Sequence, residues 1–290
     1  MAKLFGFVQF DFAGALPLAE GRYLARSGDT GEEESVLVLN RTVAPATAGR
    51  RRRRSKPAEP DPEPLTLTRA TAIRAFAPFE SEEEAARWLD EACEAEDTVE
   101  VLASEGIALL NRALHVQAVS SADPSGRELT TEGAERVLLG YGSGEETADG
   151  RFTAARRVDL DAPAISRRRR REEELRPQER VAAVLRGREQ LDACETLLLR
   201  ARADLDAGRD REAALQLRVG LEALLVELHG ALADPGHEED MATLQNRRTE
   251  AGEAANAALH GELSEEQRAQ AEELLATCER VLRRRRVLRG

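Results

Sequence analysis

The sequence predicts an α+β protein: a small antiparallel sheet with helices, followed by a C-terminal four-helix bundle. Two observations carry this. Short runs rich in Phe, Val, Leu and Thr within the first 76 residues alternate apolar and polar, as strands with one wet face do. From about residue 177 onward, Leu and Ala recur at helical spacing among Glu and Arg. The predicted organisation is an α+β domain over 1–162, a charged linker over 163–176 and a helical bundle over 177–290.

The elements follow in order. Residues 3–12 (KLFGFVQFDF), 21–26 (GRYLAR) and 35–43 (SVLVLNRTV) read as three strands in a meander, and 65–76 (LTLTRATAIRAF) as a fourth. Between the last two lies 44–64, with five prolines, a basic block and then an acidic block. Such a stretch is expected to be a disordered loop inserted within the domain. Ser81 and Glu84 carry a capping-box signature, and the helix they open presents Ala85, Trp88, Leu89 and Ala92 on one face. A second helix is expected over 98–118, a short one near 130–139 ending at Gly140, and a last strand within 152–160. In the bundle, the spacing predicts a helix from Val181 to the stop at Ala207-Gly208 and others over 210–232 and 238–258. Ser264 and Gln267 cap the fourth.

Composition narrows the function classes. Aromatic residues are only 3% of the chain, so few rings are available to stack on bases or sugars. A net charge of −12 argues against sequence-independent nucleic-acid binding by the body of the protein. The three cysteines, Cys93, Cys194 and Cys278, are far apart and odd in number. They read as buried thiols rather than a disulfide framework or zinc ribbon. No run of 18 apolar residues predicts a membrane span, and the first 18 residues alternate like a strand rather than a signal peptide. The expected compartment is the cytoplasm.

No spacing of residues marks an active site. HExxH, CxxC and GxSxG do not occur. The Gly140–Gly144 segment, GYGSG, reads as a helix C-cap and turn. Among His115, His229, His237 and His260, the pair flanking the Pro-Gly turn reads as a helix end and an acidic helix start. Neither a metal nor a cofactor is expected. Two arginine runs are candidate polyanion contacts: Arg50, Arg51, Arg52, Arg53 and Arg54, then Arg167, Arg168, Arg169, Arg170 and Arg171. A third run, Arg283–Arg286, falls where cations favour a helix C-terminus.

Two stretches of the second half carry a resemblance. AALQLRVGLEALLVEL (213–228) looks like a core-opening helix, and Asn256-Ala-Ala-Leu-His260-Gly261 precedes a capped helix. Together they resemble HEPN-type domains, helical nucleotide-binding or ribonuclease modules, over roughly 177–286. The active form of that family carries an Arg, four to six intervening residues, and then its His. Counting back from His260, the Arg would fall at Glu253, Ala254 or Ala255, and none is Arg. Asn256 and His260 are then remnants, and the resemblance implies a non-catalytic member that dimerises through its bundle.

The leading expectation is a non-enzymatic interaction or scaffold protein, with a protein partner and a homodimer formed by the bundle. Beside it stand a nucleic-acid-associated protein using the Arg-rich segments and an enzyme with an unrecognised site.

Overall fold

The computed structural model describes residues 3–27, 33–44, 65–124, 126–158, 160, 178, 180–228 and 235–289. The chain divides into two compact units, Met1–Ala164 and Ile165–Gly290. The class is α+β, and the C-terminal helices are consistent with a bundle.

The first unit is built on a six-stranded antiparallel sheet in the order β2-β3-β4-β1-β5-β6. The strands are β1 (Leu4–Ala13), β2 (Gly21–Ser27), β3 (Glu33–Ala44), β4 (Leu65–Phe79), β5 (Arg136–Ser143) and β6 (Ala154–Val158). The expected β1-β2-β3 meander is corrected. The meander runs β2-β3-β4, and β1 lies beyond β4 in a Greek-key arrangement. The reason lies in burial. Val8, Phe10 and Phe12 point to one face of β1 and Phe7 to the other, all buried, so this strand belongs at the sheet's centre rather than its edge.

Helices α1 (Glu82–Glu94) and α2 (Glu96–Ser121) pack on the Val8–Phe12 face. Ser81 caps α1 by accepting the Glu84 N–H at 3.2 Å. The Glu84 carboxylate reaches back to the Glu80 N–H, one residue earlier than a standard capping box. Gly106 lets α2 sit close: a Cβ there would lie 2.9 Å from the Phe10 ring. Gly6 does the same beneath Trp88, at the β-bulge between Phe5 and Phe7. Asn111 of α2 exchanges two side-chain hydrogen bonds with the Leu129 backbone, at 2.8 and 2.9 Å, and so ties the run into β5.

The helix expected near 130–139 is a second correction. A single 3-10 turn spans Thr131–Gly133, and the rest is β5. The run RVLLGYG has apolar residues for either period, and pairing with β1 on one side and β6 on the other decides for strand. Gly140–Gly144 is accordingly no helix C-cap. It closes β5 and opens the five-residue helix α3 (Gly144–Ala148), whose Ser143–Glu146 capping box is complete. Gly140 also permits the close β5–β6 approach, because a Cβ there would collide with the Ala154 carbonyl oxygen.

The second unit contains residues 180–185 (α4), α5 (Ala193–Asp206), α6 (Asp210–Glu227), α7 (Pro235–Asn246), α8 (Arg248–His260) and α9 (Glu265–Arg289). Two of the four expected helices are each divided. A left-handed turn at Gly187 separates α4 from α5, whose start Asp192 caps. The other division falls at Arg247, which precedes α8 and ties Glu250, Glu273 and the Gln270 carbonyl to its guanidinium. The Ser264–Gln267 capping box forms as expected.

Helix α6 is the hub. Leu217, Leu221 and Leu224 are buried, and each contributes about 1.5–3 kcal/mol by leaving water. Gly220 lets α5 approach, since its Cβ would stand 2.9 Å from Leu198 Cδ2. Across α6, α8 presents buried Ala251, Ala254, Ala255 and Ala258, small enough for close helix contact. The Glu227 carboxylate accepts the Ala193 and Cys194 N–H groups at the start of α5. It fills the place of an N-terminal anion there.

Two outcomes test this packing. Gly220→Ala is expected to destabilise the bundle by about 1–3 kcal/mol, read by urea denaturation, because the methyl has no room. The unit Ile165–Gly290, expressed alone, is expected to melt cooperatively by circular dichroism at 222 nm.

Candidate functional site: a polar row across the central strands

Alternation in β1 sends Phe7, Gln9 and Asp11 to the face away from α1 and α2. A strand in a half-wet sheet would expose that face. Here Phe7, Gln9 and Asp11 are all buried, as are Val38, Thr71, Ile73 and Leu138 beside them. The connection from β5 to β6 folds back over this side. Phe152 packs 6.0 Å from the Phe7 ring. Gly150 lies against Asn40 and Arg69, and Asp149 pairs with Arg22 of β2 at 2.9 Å.

The register sets Asn40, Arg69, Asp11 and Arg136 in one row across β3, β4, β1 and β5. Directly opposed charges on neighbouring strands attract at short range. Arg69 donates Nε to Asp11 Oδ1 at 2.9 Å and Nη2 to Oδ2 at 3.4 Å. Arg136 donates Nε and Nη2 to Oδ2 at 2.9 and 2.6 Å. Burial pushes the Asp11 carboxyl up, but the hydrogen bonds and charges of Arg69 and Arg136 outweigh it and hold it below its ordinary range. Asp11 is thus a fixed carboxylate and a charge anchor. In the next row Gln9 lies beside Thr71, whose hydroxyl donates to Gln9 Oε1 at 3.3 Å. The Gln9 Nε2 has no hydrogen-bond partner among the described residues.

None of the expected site residues belongs to this row. Both runs, Arg50–Arg54 and Arg167–Arg171, lie outside the described residues, as do His229, the 163–176 segment and 45–64. Asn256 and His260 stand one turn apart on α8, both exposed. In the third arginine run, Arg284 pairs with Asp240 at 2.9 Å and Arg285 with Asp192, so these two work inside the bundle. His237 is buried at the start of α7. Among the described residues no group of three His, Cys, Asp or Glu could hold a metal ion. No described helix is long and apolar enough to cross a membrane.

Of the three cysteines, Cys194 and Cys278 are buried and Cys93 is partly exposed. Burial raises the Cys194 thiol, reinforced by Glu227, and pushes Cys278 up to about 12. Both are protonated and shielded at neutral pH.

The polar row was not legible in the sequence because its members lie in separate strands, one of them in a stretch expected to be helical. The available signal was a charge inside each of two expected strands, Asp11 and Arg69; Arg136 opens β5, the stretch expected to be helical. Charges at strand interiors call for partners, and only the register shows that Asp11 and Arg69 meet each other and Arg136.

No family model matches the chain, and no curated protein or solved structure matches it.

Asp11→Asn is expected to cost about 3 kcal/mol at pH 7, because two guanidiniums lose their shared counter-charge. The Asp11 carboxyl titrates lower in the folded chain than its ordinary value of 3.8. Its contribution is therefore complete above pH 3.8 and is lost as pH falls through the lower folded value. Denaturant midpoints of wild type and variant should differ at pH 7 and converge in that acidic window.

Proposed function

We propose that the chain is a non-enzymatic recognition protein, in which the α+β unit binds a ligand on the face carrying Gln9, Asp11, Arg69, Thr71 and Arg136. The observation that carries this reading is the polar row itself, a buried carboxylate held by two partly exposed guanidiniums beside the buried, unpartnered Gln9 amide. As structure alone it is expensive. Taking a carboxylate such as Asp11 out of water costs several kcal/mol, which its ion pairs repay only where the geometry is good. An amide group left without a partner costs about 1–3 kcal/mol. Local rules of this kind are broken at functional sites more than elsewhere. The titratable groups buried in both units support binding over catalysis. Asp11 spends both oxygens on arginines, and the buried thiols of Cys194 and Cys278 are raised out of the nucleophilic range.

The bundle completes the reading as an association module. Val219 and Val226 lie one heptad apart on the outer side of α6, 55% and 77% exposed, opposite its buried leucines. That stripe suits a second copy of the chain. The HEPN-like resemblance, with Asn256 and His260 as remnants, agrees with such a dimer.

Light scattering after size exclusion is the direct check on the bundle. Wild type is expected at twice the chain mass of 31.8 kDa, and Val219→Glu with Val226→Glu at the chain mass. For the sheet, a thermal-shift screen of small molecules should yield ligands that stabilise wild type and not Gln9→Leu. A screen in which every stabilising compound acts equally on both proteins contradicts the reading.

A further inference from the structure

We propose that the Arg69–Asp11–Arg136 row is the inner wall of an oxyanion-binding site, which deepens the recognition reading above and rests on it. Each guanidinium spends Nε and Nη2 on Asp11. Nη1 of both arginines is left without a protein partner among the described residues. Two positive charges around one carboxylate leave the row net positive, and Asp11 fixes the planes of both forks in advance. Preorganised guanidinium forks are the donors that carboxylates and phosphates fit best.

Gln9 supplies the independent second observation. It is 2% exposed, on the same face two residues before Asp11. Its Nε2 lacks a partner, while its Oε1 takes the Thr71 hydroxyl. Asn40 stands next to Arg69 in the row. The face therefore holds an excess of N–H donors, and its one carboxylate has both oxygens occupied. A cation would meet like charge here, and an uncharged apolar ligand would leave the donors unsatisfied. An oxyanion answers both.

Two of the three acids on the covering connection are already engaged, and the third, Glu145, is exposed. Glu146 accepts the Ser143 N–H and the Thr153 hydroxyl, and Asp149 holds Arg22 and Arg151. They do not compete for Arg69 and Arg136. Arg136 is the more open of the two, its side chain 40% exposed against 24% for Arg69, and so marks the side of entry.

The test uses the full chain at low ionic strength. Inorganic phosphate and acetate are titrated separately by calorimetry, against chloride at matched ionic strength. Binding of phosphate or acetate above the chloride control is expected, and the tighter of the two identifies the oxyanion. Arg136→Gln is expected to weaken that binding at least tenfold. Arg136→Lys, which keeps the charge but loses the fork, should fall between. Arg156→Gln, which removes an arginine paired with Asp90 on the opposite face, should bind as wild type. The three-step order is a readout that a purely structural arginine would not give. Equal binding in wild type and Arg136→Gln, or no binding of either anion, overturns the proposal. In that event, an uncharged ligand whose stabilisation is lost in Gln9→Leu would leave the recognition reading standing, and its absence would remove both.

Discussion

The carboxylate of Asp11, shared by two guanidiniums from the strands on either side, holds the centre of the α+β unit. Strand β1 pairs with β4 on one edge and β5 on the other, so it joins the β2-β3-β4 meander to the β5-β6 pair. Its helix-side residues bury Val8, Phe10 and Phe12 against α1 and α2. Its other side holds the ion triad. The apolar face supplies non-directional stability. The triad supplies register, because a slip by one residue would turn Asp11 into the apolar core and strand two arginines without a counter-ion.

The bundle obeys a different constraint. Its contacts are set by residues that are small where helices meet: Gly220 against Leu198, and the alanines of α8 against α6. Charge then locks the ends. Asp240 draws Arg280 and Arg284 of α9 toward α7, and Arg202 of α5 holds Glu279 of α9 at 2.8 Å. These partly exposed pairs add little each. As a set they fix which face of α9 turns inward.

The fold class, five of the six strands' places and the start of nearly every long helix were legible from period, turn residues and caps. The failures have physical causes. In 136–143 the apolar residues satisfy both periods, and only pairing on both sides made it a strand. The order of β1 in the sheet depended on both its faces being buried, which alternation alone conceals. Gly187 and Arg247 divide helices whose apolar spacing runs on through the break. At the candidate site, Arg69 and Arg136 lie 58 and 125 residues from Asp11 along the chain, and nothing in the local sequence links them. Two of the arginine runs, Arg50–Arg54 and Arg167–Arg171, were by contrast conspicuous in the sequence and lie outside the described residues.

The central claim is that the Arg69–Asp11–Arg136 triad serves recognition more than stability. The most direct test replaces all three members together, Asp11→Leu, Arg69→Met and Arg136→Met, and measures both urea stability and phosphate binding in the full chain. The account predicts stability equal to wild type or higher, with binding abolished. A loss of more than about 3 kcal/mol with binding unchanged would contradict it, and would make the row a structural clamp.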